Sequence, residues 1–598
     1  MKKMKKIMCL LLVFVLAFGM SMTVFAEEGD NTSSAEGKKV DNTVSAEQVP
    51  GKEPDTSTHT YVAYKIFDGT QAKDEAELAS IKWSDETADG TSALWGAIKS
   101  AVLKDEALKN DWSRYSDALT AQDVAEIVSE YGDNSAEAKA FARCVYAAVN
   151  SVGIERISIT VGTTVMPAGY YLIVDVSGDG RADGTNSAYN LALLQLTNRG
   201  PFEIQNKTDV PKVEKKVQEV NDSKEESGNN PTDWQDAADY DIGDDVPFQL
   251  TGYLPSNYAE YGSYRYIFHD TLSAGLDFKE IVKVSIDGNQ IIPDTQYRYS
   301  VDETGRQLTI TFPNLKSNSS ITATSKIVVE YKAILNDNAV IGPAGNPNDV
   351  YLEYSNNPNW RGKGAGGNTE EGDDDDDNDS DNDDDDDDEP TGKTPPDRVI
   401  VFTYEMDANK VDEAGNALSG AGFTLYKWVE NKVENENDNE GESEVERVAN
   451  GGYWKTIATI QGETTFEFKG IDAGLYKLEE TTVPDGYNKA DDIVFEVRAT
   501  YTEDANDPSF GTLEVYKQDE VEDENGNIHY EDEKLAEGEV PTFTVIHERG
   551  IASTDVVNQS GISLPETGGI GTTIFYVVGG ILVACCGVLL VTRKRVSK

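Results

Sequence analysis

The sequence predicts a mainly β fold: tandem immunoglobulin-like β-sandwiches, with helical insertions in the first domain and a transmembrane helix at the C-terminus. Short runs of alternating apolar and polar residues recur along the chain, and Gly, Pro and Asn separate them. These two observations predict the sandwiches. A third observation, an apolar stretch from about Ile570 to Thr592, predicts a helix long enough to cross a bilayer.

The first 26 residues have the three parts of a secretory signal peptide. A basic start precedes an apolar run from Ile7 to Phe18, and small residues precede a cleavage site after Ala26. A polar lead follows, from residue 27 to residue 58. We therefore expect the rest of the chain to be exported.

The cysteines cannot form an intrachain disulfide framework. Of the four, Cys9 lies in the signal peptide, and Cys585 and Cys586 lie in the C-terminal apolar stretch. Cys144 is thus the only cysteine in the exported part. Disulfides are the usual covalent link in exported proteins, so their absence raises the question of what stabilises this one.

The chain is strongly acidic, with a formal charge of −56. A polyanion repels nucleic acid, which excludes nucleic acid as a partner. Residues Glu370–Glu389 hold 16 acidic side chains in 20 positions. They lack the internal Gly and terminal Glu spacing of a calcium loop, so we expect no metal site there. The segment 359–395 is interpreted as an extended, self-repelling linker between domains.

The first domain, residues 59–206, combines strands and helices. Runs of β-branched and aromatic residues near both ends predict strands, and the segments between them have helical periodicity. The predicted strands are Tyr61–Phe67, Ile157–Val161 and Gly169–Asp175, and the predicted helices lie in Glu75–Lys104, Ala121–Glu130 and Ala136–Asn150.

The second domain, residues 207–358, and the third, residues 396–560, contain almost only strand and turn patterns. Leu308, Ile310 and Phe312, for example, alternate with polar neighbours. Both domains are therefore predicted to be β-sandwiches. A long acidic loop of the third domain, near residues 431–446, is expected to face solvent.

Residues 564–598 combine a short motif, the apolar stretch and a basic tail. The motif consists of Leu564, Pro565, Glu566, Thr567 and Gly568. This order resembles the cell-wall sorting signal of Gram-positive sortase substrates, and a simple tail anchor is the alternative. The resemblance implies that a membrane transpeptidase cuts between Thr567 and Gly568 and passes the Thr567 acyl group to an amine.

Motifs of the first two domains resemble those of Gram-positive shaft pilins. Phe202–Lys207, followed by Val210–Val217, is similar to the pilin motif and the start of the second domain in that family. Tyr264–Leu272 and Asn348–Tyr354 resemble later signatures of the same domain. The resemblance implies that residues 59–206 are an N-terminal pilin domain and residues 207–358 an isopeptide-forming fimbrial domain.

The third domain resembles a collagen-adhesin B-type sandwich. The segments that carry this resemblance are Asn409–Asp412, Gly474–Thr481, Pro484–Tyr487 and Val556–Asn558. With the other motifs, the resemblance extends over nearly the whole exported chain.

The resemblance implies an intramolecular Lys–Asn isopeptide bond in each of these two sandwiches. The lysine must lose its proton to attack the amide, and a neighbouring carboxyl must be protonated to polarise it, so all three groups should be buried. The implied residues are Lys215, Asn348 and the assisting Asp270 in the second domain, and Lys410, Asn558 and the assisting Glu480 in the third.

Strand alternation places these side chains on the inward faces. Lys215 shares parity with Val213 and Val217, and Asn348 shares parity with Val350. The same alternation turns Asp270 inward, and it does the same for Lys410, Glu480 and Asn558 in the third domain. A hydrogen-bonded polar core, or chance parity, would give this pattern without a bond.

The first domain receives no site assignment. Asp175 occupies the place in its strand that Glu480 holds in the third domain, and Lys65 is a candidate donor. No Lys and Asn pair with matching strand context accompanies them.

Lys207 matches the lysine of the pilin motif, although Gln205 and Asn206 replace the usual Tyr-Pro. The resemblance implies that Thr567 of one subunit is joined to Lys207 of the next. Lys212 is the second candidate for this linkage, and an ordinary surface lysine is the alternative interpretation.

The predicted function is that of a shaft subunit of a covalent, wall-anchored pilus, with a monomeric wall-anchored adhesin as the alternative. The expected partners are a pilin-type sortase, a housekeeping sortase, other copies of the chain and peptidoglycan, with accessory pilins and host ligands allowed by the class. No cofactor is expected. The four histidines are His59, His269, His529 and His547. They are scattered, and no nucleophile elbow or zinc-ligand spacing accompanies them, which disfavours a hydrolase.

Overall fold

The structure is a computed structural model. It describes residues 22–26, 38–41, 53–54, 59–71, 78–115, 119–132, 135–160, 164–176, 191–196, 202–206, 209–220, 234–358, 389–430, 447–448, 452–502, 508–522, 528–536, 539–561, 578–579 and 581–583.

The first domain packs helices on one sheet. The strands, in sheet order, are Leu78–Trp83, Tyr61–Gln71, Gly169–Asp175 and Leu191–Leu196, with Arg156–Ile159 also paired to Tyr61–Gln71. The helices are Ala93–Val102, Lys109–Trp112, Ala121–Ser129 and Ala136–Val152. Side-chain oxygens of Ser92, Thr120 and Ser135 accept hydrogen bonds from backbone N–H groups in the first turns, which fixes where three of these helices begin.

One helical prediction was too long. Residues 78–83 fall within the predicted helix Glu75–Lys104 but form a strand that pairs antiparallel with Tyr61–Gln71. The hairpin buries Trp83 against Phe67, with ring centroids 4.7 Å apart. Pairing with a neighbouring strand has overridden the helical periodicity, which is a weak local preference.

The middle domain is a sandwich of two sheets. In order, the first sheet contains Lys212–Val217, Asp245–Tyr253, Lys326–Leu335, Leu276–Ile286 and Asn289–Gln290. The second contains Ala237–Asp239, Asp397–Phe402, Asn346–Ser355, Tyr266–Leu272, Gln307–Phe312 and Arg298–Val301, with Thr391–Lys393 also paired to Asn346–Ser355. Inward residues alternate with outward ones along these strands, and the inward residues of both sheets form one core.

In chain order, the acidic run falls between two strands of the same sheet of the middle domain, which corrects the predicted linker. Asp397–Phe402 pairs antiparallel with Asn346–Ser355 in the second sheet, so the chain returns to this sandwich after the run. Val399 and Val401 of the returning strand are fully buried in the core of this domain, whereas Phe402 packs in the core of the third domain. The domain boundary therefore moves from residue 396 to about Thr403. A composition change marks where a chain leaves a sheet, but it carries no information on whether the chain returns.

The third domain is also a sandwich. Its smaller sheet contains, in order, Thr465–Ile471, Tyr404–Asp412, Ile551–Asn558 and Thr544–Ile546. The larger contains Arg447–Val448, Gly452–Gln461, Gly422–Glu430, Gly474–Thr482, Ile493–Thr502, Ser509–Glu522 and Ile528–Asp532. The first long strand, Tyr404–Asp412, pairs in parallel with the last, Ile551–Asn558.

Short strands precede and join the domains. Met22–Ala26, within the predicted signal peptide, pairs with Phe202–Asn206. The other short pairings join Phe202–Asn206 to Lys38–Asp41, Lys38–Asp41 to Val165–Met166, and Glu53–Pro54 to Asp209–Val210. Short 3₁₀ turns occupy Tyr258–Glu260, Leu315–Ser317 and His547–Arg549.

Within the described ranges, no helix is both long enough and apolar enough to cross a membrane. The predicted transmembrane stretch lies outside those ranges, apart from residues 578–579 and 581–583.

Candidate functional site

The middle domain brings Lys215, Asp270 and Asn348 into its core. Lys215 lies on the first strand, where every second residue is buried, so the alternation turns it inward and leaves Lys216 partly exposed. Asp270 and Asn348 lie on neighbouring strands of the opposite sheet, and Asn348 faces Leu272 in the register. The side chains of all three are essentially inaccessible to solvent. The structure thus places this predicted set where the strand parity puts it.

The contacts form a closed polar cluster. The Lys215 ammonium donates to Asp270 Oδ2 and to the Tyr331 hydroxyl, the latter at 3.0 Å. The Tyr331 hydroxyl donates to Asp270 Oδ1 at 3.0 Å and accepts from Asn348 Nδ2 at 2.7 Å. Lys215 Nζ also lies 5.4 Å from the ring centroids of both Phe248 and Tyr331. The cluster is therefore enclosed by aromatic rings and away from water.

Burial changes the protonation chemistry of this cluster. Desolvation lowers the pKa of Lys215, although the neighbouring Asp270 acts in the opposite direction. Desolvation likewise raises the pKa of Asp270, against the effect of Lys215. Both shifts favour moving one proton from the amine to the carboxyl, which leaves a neutral amine and a neutral acid.

Tyr331 is a site residue that the sequence did not reveal. Its strand, Lys326–Leu335, has the alternating pattern of a core strand, in which an inward Tyr is usual. In the sequence, only its hydroxyl group could have indicated a role in the site, because a buried hydroxyl needs a hydrogen-bond partner. Asn348 Oδ1 is buried and has no hydrogen-bond partner among the described residues. A half-turn of the amide would present this oxygen to the Tyr331 hydroxyl.

The third domain assembles the second predicted set from three strands. Lys410 and Asn558 lie on the parallel pair, and Glu480 comes from the opposite sheet on Gly474–Thr482. Lys410 Nζ donates to Asn558 Oδ1 at 2.5 Å and to the Val556 carbonyl at 2.8 Å. Asn558 Nδ2 donates to Glu480 Oε1 at 2.9 Å. Lysine, amide and carboxyl are thus in direct contact.

The environment of this second cluster is also dry. The side chains of Lys410 and Glu480 are fully buried, and their charged atoms lie 3.8 Å apart. Burial lowers the pKa of Lys410, against the effect of Glu480. The N–H of Ala490 donates to Glu480 Oε2 at 2.7 Å and holds the carboxyl towards Asn558. The arrangement suits attack of the amine on the amide carbon.

The first domain has a different buried pair. The His59 ring hydrogen-bonds to Asp175 through Nδ1, and both side chains are almost inaccessible. Lys65 instead pairs with the half-exposed Asp68. Among the described residues of this domain, His59 and Asp175 are the only buried side chains that can carry a charge at neutral pH.

Of the residues predicted for the link between subunits, only Lys212 lies in the part of the chain that the structure describes. Lys207 and the sorting motif from Leu564 to Gly568 lie outside the described residues. Lys212, the second candidate, is partly exposed and lies 3.2 Å from Glu214.

Three family models match segments of this chain. A Gram-positive pilin backbone subunit 2, Cna-B-like domain model matches residues 242–358. A prealbumin-like fold domain model, SpaA, matches residues 405–507. An LPXTG cell wall anchor motif model matches residues 556–598.

Known proteins show the same resemblance. The trypsin-resistant surface T6 protein of Streptococcus pyogenes serotype M6 is 25% identical over 397 residues, covering 59% of this chain and 65% of that protein. This chain therefore spans just under two thirds of that relative's length.

Solved structures include the T6 backbone pilin of serotype M6 S. pyogenes, which is 18% identical, with 89% of this chain and 100% of that one covered and a TM-score of 0.42. The full-length major pilin SpaD of Corynebacterium diphtheriae is 15% identical, with 89% and 99% covered and a TM-score of 0.38. TM-scores of this size do not establish a common arrangement of the domains.

Tandem β-sandwiches ahead of a wall-anchor motif define a cell-wall-anchored surface protein of a Gram-positive bacterium. Within that class, the chain is similar to the LPXTG-anchored backbone pilins.

Proposed function

We propose that this chain is the major shaft subunit of a covalently polymerised pilus. One observation carries the proposal: a pilin backbone domain, a prealbumin-like domain and a wall anchor follow one another on a single chain. The subunit is structural, and its own chemistry is limited to autocatalytic formation of internal bonds.

Polymerisation would join Thr567 to Lys207. A pilin-type sortase forms a thioester with the Thr567 carbonyl and releases the segment that begins at Gly568. The Lys207 amine of the next subunit attacks this carbonyl, an amide forms, and the sortase thiol leaves. A housekeeping sortase then transfers the last subunit to peptidoglycan. Accessory pilins and host ligands would be further partners of the finished shaft.

Inside the middle domain, the neutral Lys215 amine would attack Asn348 Cγ. An Nζ–Cγ bond forms, the Cγ–Nδ2 bond breaks and ammonia leaves. Protonated Asp270 supplies a proton towards the amide and accepts one from the attacking nitrogen. The Tyr331 hydroxyl supports this transfer because it contacts Asp270 and Asn348 at 3.0 and 2.7 Å.

The third domain would form its bond by the same chemistry with fewer groups. Lys410 attacks Asn558 Cγ, and Glu480 carries the proton directly to the leaving Nδ2, which it contacts at 2.9 Å. Both bonds would supply the covalent stabilisation that disulfides provide in other exported proteins.

Denaturing gels of wall extracts test the polymer. Wild type should give a high-molecular-weight ladder, and Lys207→Ala should collapse it to monomer. Lys212→Ala is the matched control and should leave the ladder intact. A wild-type monomer would instead favour the wall-anchored adhesin, and an unchanged ladder in Lys207→Ala would move the linkage to another lysine.

Intact mass spectrometry of the exported part tests the internal bonds separately. Wild type should weigh less than its sequence by one ammonia for each of the two bonds. Lys215→Ala and Lys410→Ala should each restore one ammonia. A mass equal to that of the sequence would contradict the proposed chemistry without affecting the polymer linkage.

A further inference from the structure

A third buried lysine lies where the middle and third domains meet. Lys427, on Gly422–Glu430 of the third domain, has a side chain with no solvent exposure. Its Nζ lies 2.8 Å from Oδ2 of Asp241, which belongs to the middle domain. It also lies 2.7 Å from Oδ1 of Asp472 in its own domain. A fully buried amine therefore contacts one carboxyl from each side of the joint.

Backbone contacts hold these groups in place. The N–H of Ile242 donates to the Gly470 carbonyl across the joint at 2.9 Å. Gly470 has φ +78°, and a Cβ there would lie 2.3 Å from a side-chain carbon of Ile242, so only glycine allows this close approach. The strand Ala237–Asp239, just before Asp241, pairs with Asp397–Phe402, whose chain continues into the third domain.

The polar surroundings distinguish the two carboxyls. Asp241 Oδ1 accepts the N–H of Asp472 at 3.0 Å, whereas the Tyr476 hydroxyl lies 3.3 Å from this oxygen and donates to Asp472 Oδ1 at 2.8 Å. The backbone N–H of Asp472 therefore points at the oxygen that would become negative if Nζ attacked Asp241 Cγ. Asp241 Oδ2 faces the lysine, and Asp472 Oδ1 lies close enough to Nζ to receive its proton.

A bound cation is a weaker interpretation of this site. Asp241, Asp244 and Asp472 place carboxylate oxygens within 4.8 Å of one another, as a metal site would. The Lys427 ammonium, however, already lies between two of these groups at hydrogen-bond distance. It supplies the positive charge that a metal would otherwise provide.

We propose that Lys427 and Asp241 form a third, interdomain isopeptide bond. One proton passes from the ammonium to Asp241, which gives a neutral amine and a neutral acid. Nζ then attacks Cγ, Asp472 takes a proton from the nitrogen and returns it to the leaving hydroxyl, and water departs as the C–O bond breaks. The products are a Lys427–Asp241 amide and one water, with Asp472 unchanged.

The two cross-links of the Proposed function and this third bond can be tested on one sample, the exported part of the chain. The Lys–Asn bonds each release ammonia, whereas this bond releases water. Intact mass should show the loss of one water beyond the ammonia losses, and digestion should give a branched peptide that joins the Lys427 and Asp241 segments. Absence of this branched peptide overturns the proposal, whatever the state of the Lys–Asn bonds.

Three variants sharpen the test. Lys427→Arg keeps the positive charge, and its guanidinium stays protonated and cannot attack a carboxyl carbon. The variant should therefore abolish the branched peptide while the domains remain folded. Asp241→Asn should give the same cross-link with loss of ammonia instead of water. Asp244→Asn alters the neighbouring carboxyl that takes no part, so the wild-type peptide should persist. A water loss that survives in Lys427→Arg would come from another site and would also overturn the proposal.

Discussion

Asn348 lies directly opposite Val399 in the second sheet of the middle domain, although the acidic run separates them in sequence. The strand that carries Asn348, the proposed cross-link residue, is therefore paired with a strand that comes after the run. Asp397, at the start of the returning strand, also accepts the backbone N–H of Lys215 at 2.6 Å. The returning strand thus contacts both elements that the internal bond would join.

A fragment of residues 209–395 should be much less stable than a fragment of residues 209–402. The shorter one lacks Val399 and Val401, both fully buried in the core of the middle domain, and their loss should lower the free energy of unfolding by about 3 kcal/mol or more. Urea denaturation of both fragments measures this difference. Replacing residues 360–387 of the longer fragment by a short Gly/Ser segment is the control and should preserve stability. Equal stability of the two fragments would refute the corrected boundary.

Tyr331→Phe should slow the middle-domain bond while leaving the third-domain bond intact. The variant keeps the aromatic ring but loses the hydroxyl between Asp270 and Asn348. We expect a decrease of about tenfold or more in rate, since positioned proton transfer contributes at least that much. The fraction of each domain that has lost ammonia at fixed times after synthesis gives both rates. An unchanged middle-domain rate would show that the hydroxyl only fills space.

Lys215→Met should make the stability of the middle domain depend on pH. Burial raises the pKa of Asp270 even with Lys215 present, so the lone acid should titrate higher still. The pKa of Asp270 in the folded state then exceeds its unfolded value of about 3.9. Its contribution to the free energy of unfolding is therefore complete below about pH 3.9 and is lost as the pH rises through the folded-state pKa. Urea unfolding should therefore show greater stability at acidic pH than at neutral pH.

The double variant Lys215→Met, Asp270→Asn serves as the control. It removes the titrating group, so its stability should vary little over the same pH range. A pH dependence that persists in the double variant would have to come from another residue.

His59→Ala should destabilise the first domain without changing the mass lost by the chain. The substitution leaves Asp175 buried without its histidine partner, which typically costs about 3–5 kcal/mol. Lys65→Ala removes a more exposed pair and should cost about 1 kcal/mol or less. Thermal unfolding of the exported chain would resolve the effect, and equal losses in the two variants would argue against a structural role for the His59–Asp175 pair.

The sequence predicted the inward residues well because strand alternation is a local property. Parity alone turns Lys215, Asn348 and Lys410 into the core, and the structure buries all three. The return of Asp397–Phe402 was not predictable, because strand pairing across a long insertion depends on closure of the whole sandwich. Lys427 was missed for a similar reason: its carboxyl partner Asp241 lies in another domain.

The parallel pairing of Tyr404–Asp412 with Ile551–Asn558 has a mechanical consequence. In the proposed shaft, tension would enter the third domain at the start of the first strand and leave beyond the end of the last, so it would load their hydrogen bonds in shear. With Lys410 joined to Asn558, the load crosses directly between the strands, and residues 411–557 lie outside its path. The domain would then lengthen hardly at all under a pull that would unravel an unlinked sandwich.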